Sequence, residues 1–258
     1  MLNALLVFLL YVAMLVTAAS AVRLLSPSAS AGGAAQGQAL FWSSLILSVL
    51  LVAIGLVRRR PFRSSVPLSL RCGGLTLAGI LSLSAGLSLL LAPLGLSDGG
   101  MNGLFSDMLR SPLCLLLLLA VGPLTEELVF REGILRNLVG GGVRPLAACV
   151  ISALLFALAH GNPAQAVPAA MLGFVLGLLY LRTADLRLCL SAHIANNALA
   201  LLSLRFPSVE AVCADLPPLC AAGAGVLLLA FGAAALWRGA LRSVFREYIS
   251  SGACPEKK

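Results

Sequence analysis

The chain reads as an all-α protein, a polytopic transmembrane helical bundle of about eight helices with both termini cytoplasmic. Three observations predict this. Only 11% of the 258 residues are charged while 60% are hydrophobic, and the mean hydropathy is +1.01. A soluble domain carries about 25% charged residues, so this chain cannot clothe a water-facing surface, and it is too apolar for disorder. The apolar residues also come in runs close to the ~17–25 residues that cross a bilayer. Finally, runs such as LLVFLLYVAML and CLLLLLA do not alternate. A membrane barrel needs a period of two, and lipid tolerates no unpaired backbone, so helices remain.

The runs follow in order: Leu2–Val22, Leu40–Val57, Gly74–Ala92, Pro112–Leu124 with a more polar continuation, Pro145–His160, Ala164–Leu181, Leu186–Leu204 and Leu219–Trp237. Ala19-Ser20-Ala21 looks like a signal-peptidase site. However, no Lys or Arg precedes the first run, and the run is longer than the roughly 7–15-residue core of a signal peptide, so it reads as a retained helix. The loops are short, and neither an internal repeat nor a separate soluble domain is visible. Gly173 and Gly177, four residues apart, fit close helix packing.

Charge sets the orientation. Arg58, Arg59, Arg60, Arg63 and Arg71 fall in the second loop, Arg136 and Arg144 in the fourth, and Arg182 and Arg187 in the sixth. Arg238, Arg242, Arg246, Lys257 and Lys258 fall in the tail. With eight spans these fourteen of the eighteen basic residues share one side, which the positive-inside rule makes cytoplasmic. The net charge of +8 is thus accounted for by topology and attraction to the lipid bilayer. No aromatic-rich basic face offers itself to nucleic acid.

Among the seven cysteines, Cys72, Cys114, Cys149 and Cys189 read as small packing residues within spans. Cys213 and Cys220 share the last non-cytoplasmic loop, where an oxidising compartment would let them pair. No C-x-x-C spacing suggests zinc.

Three segments break the apolar rule: TEELVFREGIL with Glu126, Glu127 and Arg131; FALAHGNP with His160; and SAHIANNALAL with His193, Asn196 and Asn197. Ionisable groups at membrane depth cost ~2.5–3.5 kcal/mol on insertion scales and are functional by default. These segments hold both histidines of the chain. Glu127 and Arg131 are i and i+4 and share a helix face, whereas Glu126 lies about 100° away, so Arg131 can hold one carboxylate while the other faces a cavity. Phe156 and His160, and His193 and Asn197, are also i and i+4 pairs. Counted from the cytoplasmic ends at 1.5 Å per residue, Glu126 lies roughly 20 Å deep and His160 roughly 24 Å. His193 and Asn197 come out shallower, at roughly 9 and 15 Å, unless helices tilt or start later.

The order E-E-x-x-x-R, F-x-x-x-H, H-x-x-x-N on successive membrane segments resembles the CAAX protease and bacteriocin-processing (Abi) family, which includes the Ras-converting CAAX endopeptidase. The resemblance covers about Thr125–Asn197. Glu132 is a departure, since the family more often has Gly directly after the Arg; here Gly133 follows one place later. The resemblance implies an intramembrane glutamic endopeptidase, a hydrolase without metal or cofactor, acting on a membrane-associated protein or peptide. By it, Glu126 and His160 activate a water, His193 and Asn197 form the oxyanion site, and Glu127, Arg131 and Phe156 support the site or hold the peptide. It also divides the chain into N-terminal membrane helices (1–110), a catalytic core (111–204) and a last helix with a basic tail (205–258).

The residue chemistry agrees. Peptide hydrolysis needs a base for water, donors for the oxyanion and an acid for the amine. A buried carboxylate, an imidazole and a side-chain amide supply all three. Other readings of the same residues stay open. They can tie helices together or relay protons in a transporter, or serve a binding or immunity protein without hydrolysis. Glu126, His160 and His193 also offer the two nitrogens and one oxygen of a catalytic zinc site, although H-E-x-x-H is absent. Gly95-Leu96-Ser97-Asp98-Gly99 fits G-x-S-x-G, but it sits in a Gly-rich stretch and reads as a turn rather than a nucleophile elbow. Asn196 reads as a helix-contact residue. The Ala- and Leu-rich spans with short loops point to a bacterial plasma membrane.

Overall fold

The computed structural model describes residues 1–25, 33–58, 70–184, 186–206 and 216–241. Among them there is no strand, and the helices are α1 (Leu2–Leu25), α2 (Gly33–Ala53), α3 (Leu70–Leu91), the short α4 (Met101–Met108), α5 (Pro112–Gly140), α6 (Pro145–Ala159), α7 (Pro163–Thr183), α8 (Leu186–Arg205) and α9 (Pro218–Leu236). The eight apolar runs thus become the eight long helices, and α4 is an addition. Cys213 lies outside the described residues; Cys72, Cys114, Cys149 and Cys189 are buried, and Cys220 is exposed.

Six helices, α1, α2, α3, α5, α7 and α9, are long and apolar enough to cross a membrane. The other two of the eight long helices fall short of that measure of length and composition. With 15 residues, α6 rises about 22 Å, short of a ~30 Å hydrocarbon core. Meanwhile α8 carries Ser191, His193, Asn196, Asn197 and Ser203 in 20 residues. These two helices bring in the histidines, His193 within α8 and His160 at the C-terminal end of α6.

At the centre, α5 is buried on every face from Leu128 to Leu135. In lipid there is little hydrophobic drive between helices, so close packing depends on small residues and internal polar contacts. Gly177 of α7 shows the first device. A Cβ there would lie 2.6 Å from Cys149 Sγ on α6, and one on Gly173 would lie 3.0 Å from Phe156 Cδ1. The expected close packing of this pair is what the α6–α7 hairpin uses. On the opposite flank, a Cβ on Gly86 of α3 would lie 2.7 Å from the Gly225 carbonyl oxygen of α9.

Glu132 shows the second device. It is fully buried, and its carboxylate accepts from Arg58 Nε at 3.0 and 3.1 Å, from Arg58 Nη2, and from the Tyr180 hydroxyl at 2.6 Å. Arg136 Nε adds an ion pair at 3.2 Å. Arg58 Nη2 also donates to the Ala184 carbonyl at 2.7 Å, at the turn between α7 and α8, where Ala184 has a left-handed φ of 48°. Glu132 therefore joins the end of α2, the middle of α5 and the end of α7. The residue that departs from the family pattern is a structural hub, with Arg58 and Arg136 as its ion-pair partners.

Truncating a buried ion pair strands its partners and costs about 3–5 kcal/mol. Because Arg58 keeps 37% of its side-chain exposure, Glu132→Ala is expected at the lower end, about 3 kcal/mol, and Arg58→Ala is expected to cost less. Thermal unfolding in detergent reads both; an unchanged melting temperature in Glu132→Ala contradicts the hub.

Candidate active site

The three polar segments meet at the middle of α5. Its backbone there departs from regular α winding. At Leu117–Val121 and again at Leu128–Leu135 the helix is π-wound, with each N–H reaching five residues back. In the first of these turns Gly122 N–H bonds to the Leu117 carbonyl. The next residue is Pro123, which has no N–H, so in that register the Leu118 carbonyl loses its helix partner. Asn197 of α8 donates to it from Nδ2 at 3.0 Å. In the second turn, Ser152 of α6 donates to the Phe130 carbonyl at 2.8 Å. Side chains of α6 and α8 thus supply donors to carbonyls of α5.

One turn below Pro123 stand the paired carboxylates, and they differ sharply. Glu127 is fully buried: its Oε2 lies 3.0 Å from Arg131 Nε, and its Oε1 lies 2.8 Å from His193 Nδ1. Glu126 keeps 23% of its side-chain exposure. Its Oε2 lies 3.5 Å from His193 Nε2, and its Oε1 accepts from the Tyr11 hydroxyl at 3.3 Å. The imidazole of His193 therefore stands between the two carboxylates, one nitrogen to each. Arg131 holds Glu127 and leaves Glu126 the more open, the division that the i, i+4 spacing predicts.

His193 reaching Glu126 corrects its expected shallow depth. Arg58 bonds both Glu132 and the Ala184 carbonyl, so the turn before α8 lies level with Glu132 rather than with the end of α5. α8 starts deeper than an even row of spans implies, and His193 arrives at the height of Glu126.

Phe156 packs against the other members. Its ring lies edge-on to His160 at 4.8 Å, to His193 at 5.7 Å and to Phe130 at 5.0 Å, and the Arg131 guanidinium lies 5.1 Å from its centroid. Such a contact stabilises a desolvated cation by about 2 kcal/mol. It faces a guanidinium with no exposure whose nitrogens make no hydrogen bond among the described residues.

His160 closes α6. Its Nδ1 lies 2.8 Å from the Phe156 carbonyl, so Nδ1 is the donor and, among the described residues, Nε2 is the open nitrogen. Gly161 follows with φ +71°, a conformation that favours glycine. Asn162 then caps α7, accepting from Gln165 N at 2.9 Å. The segment Gly95–Gly99 is a turn, as its glycines suggest, and the Ser97 carbonyl accepts from Ala164 N at 3.4 Å beside this corner. There the exposed Asp98 carboxylate is held below the usual carboxylate range by the N–H groups of Gly100 and Asn102.

Among the described residues His160 makes no hydrogen bond with Glu126, and no three His, Cys, Asp or Glu side chains cluster at metal-binding distance. Asn196 accepts from Ser84 of α3, a helix contact. Sequence reasoning missed Pro123, Tyr11, Tyr180 and the role of Glu132. The available signal was rarity: Tyr11 and Tyr180 are two of only three tyrosines, and a buried phenol needs a partner.

Residues 109–199 match the model of a protein family described as type II CAAX prenyl endopeptidase Rce1-like. That segment, under half of the chain, contains all three motifs. No curated protein and no solved structure matches the chain.

The Pro123–Asn197 arrangement makes a prediction. Asn197→Leu leaves the Leu118 carbonyl unpaired, at a cost of about 1–3 kcal/mol. Pro123→Ala restores an N–H to α5, so Asn197→Leu in that background is expected to cost less. Equal losses of melting temperature in the two backgrounds would show that Asn197 does not replace the missing N–H.

Proposed function

We propose that the chain is an intramembrane endopeptidase of the glutamic type, hydrolysing a peptide bond in a membrane-associated protein or peptide. The observation that carries this reading is the unequal commitment of the two carboxylates. Glu127, without exposure, is hydrogen-bonded to His193 through one oxygen and ion-paired with Arg131 through the other, whereas Glu126 is the partly open one and, among the described residues, is held by long contacts. Glu126 is thus the group able to take a proton from water.

The other roles follow. A proton shared along Glu126 Oε2···His193 Nε2 places an N–H donor beside the base. Asn197 has two amide hydrogens and gives one to Leu118, which leaves the second for the oxyanion. Such a donor is worth ~2.7–4 kcal/mol in other enzymes. His160, with Nε2 open, binds the attacking water together with Glu126. Water adds to the carbonyl carbon while Glu126 takes its proton. The C–N bond then breaks, and the same proton passes to the leaving amine. The likeness to type II CAAX prenyl endopeptidases makes a farnesylated CAAX-type peptide the first substrate to offer, presented from the cytoplasmic side that the basic residues mark.

Glu126→Gln and His160→Ala are each expected to lower cleavage of that peptide by at least about a hundredfold, with the protein still inserting in membranes. C-terminal proteomics of membrane fractions, wild type against Glu126→Gln, reads the natural substrates. Full activity in Glu126→Gln ends this reading. A cellular phenotype that survives both substitutions favours a binding or immunity protein, and loss of turnover on chelation favours a metal enzyme.

A further inference from the structure

The helix that meets Glu126 through a tyrosine lies outside the segment that carries the motifs. The buried residues of α1, Ala4, Val7, Tyr11, Met14 and Ala18, recur at three- and four-residue steps along one face. That face lies on the π-wound part of α5. A Cβ on Gly133 would stand 2.6 Å from Val7 Cγ1, so a glycine there is what lets α1 approach this closely. Four residues on from Val7, the Tyr11 ring meets Phe130 edge-on at 5.3 Å, and its hydroxyl donates to Glu126 Oε1 at 3.3 Å. Tyr11 is buried, and among the described residues Glu126 is the partner that its hydroxyl finds.

We propose that Tyr11 is a positioning residue of the active site, and that α1 completes the site. The inference rests on the reading of Glu126 as the base. By occupying Oε1, the Tyr11 hydroxyl stops the carboxylate from rotating about its terminal bond and leaves Oε2, on the His193 side, as the oxygen that meets the water. The phenol keeps its proton throughout, and no bond to Tyr11 forms or breaks. Fixing one oxygen of a base in this way acts on the chemical step rather than on peptide binding, because misplacement of about 1 Å can cost two orders of magnitude in rate.

The test uses Tyr11→Phe, which keeps the ring and its contact with Phe130. In proteoliposomes with a farnesylated CAAX-type peptide, kcat is expected to fall roughly tenfold, the order of a lost hydrogen bond to a charged group, with KM unchanged. A fall carried by KM, or no fall, overturns the proposal. A second measurement does not need turnover: melting temperatures of Tyr11→Phe, Glu126→Leu and the double variant. The shift from Tyr11→Phe is expected to be about 2–4 °C alone and to shrink or change sign beside Glu126→Leu. Additive shifts overturn the contact whatever the peptide does. Equal turnover by wild type and Glu126→Gln, with non-additive shifts, instead overturns the reading of Glu126 as the base and the catalytic part of the proposal with it, while upholding the contact.

Discussion

The contact of Glu127 with Arg131 and His193 is the constraint from which the rest of the site follows. Burying an ion costs several kcal/mol even after relaxation, and Glu127 and Arg131 both have no exposure at all. The carboxylate answers this with contacts at 3.0 and 2.8 Å, one through each oxygen. Three consequences come from that one arrangement. α5 is bound to α8. The His193 ring has its Nδ1 tied down, so its Nε2 must face Glu126. And Arg131 is drawn over Phe156, whose edge contacts bring His160 into the same group.

A second constraint acts on the backbone. Inside lipid a carbonyl without a helix partner finds no water, so something in the protein must reach it. Pro123 and the π-wound turn before it leave the Leu118 carbonyl without its helix partner, and Asn197 reaches it, while Ser152 adds a donor to the Phe130 carbonyl in the second π-wound turn. Asn197, for which an oxyanion role is proposed, therefore also repairs the helix that carries the paired carboxylates. The Glu132 cluster obeys the same rule further along α5, where Arg58, Tyr180 and Arg136 answer one buried carboxylate. Site and scaffold are not separable sets of residues here.

This explains which parts were legible in the sequence. Helices α3, α6, α7, α8 and α9 fall within a few residues of the apolar runs, because hydropathy reports burial in lipid directly. α2 starts at Gly33 rather than Leu40, because its first turns, GAAQGQA, are less apolar and are held by glycines against α4 and α5: a Cβ on Gly33 would meet the Leu104 carbonyl oxygen at 2.6 Å, and one on Gly37 would meet Cys114 Sγ. The pairing of Glu127 with Arg131 was legible because i, i+4 is a local rule. Tyr11 with Glu126, Arg58 with Glu132 and Tyr180 with Glu132 were not: they join positions 115, 74 and 48 residues apart, and no periodicity carries that distance. The depth of His193 failed for a related reason, since it depends on where the turn at Ala184 sits against α5.

The lengths of the contacts at Glu126 bear on its reactivity. A carboxylate in a membrane protein must be partnered, yet a base whose lone pairs are all firmly engaged cannot accept a proton from water. Glu127 meets the first demand with a hydrogen bond through one oxygen and an ion pair through the other, and with no exposure it has no room for the second. Glu126 satisfies both by a compromise: its contacts to Tyr11 and His193, at 3.3 and 3.5 Å, lie at or beyond the long end of hydrogen-bond geometry. They hold the group in place without saturating it, and its 23% exposure leaves room for a water. Adjacent residues of the same type thus stand in different surroundings, which is what the proposed division of their roles rests on. The difference traces to which helix each faces: α8 and an arginine of its own helix for Glu127, α1 and the far side of the same imidazole for Glu126.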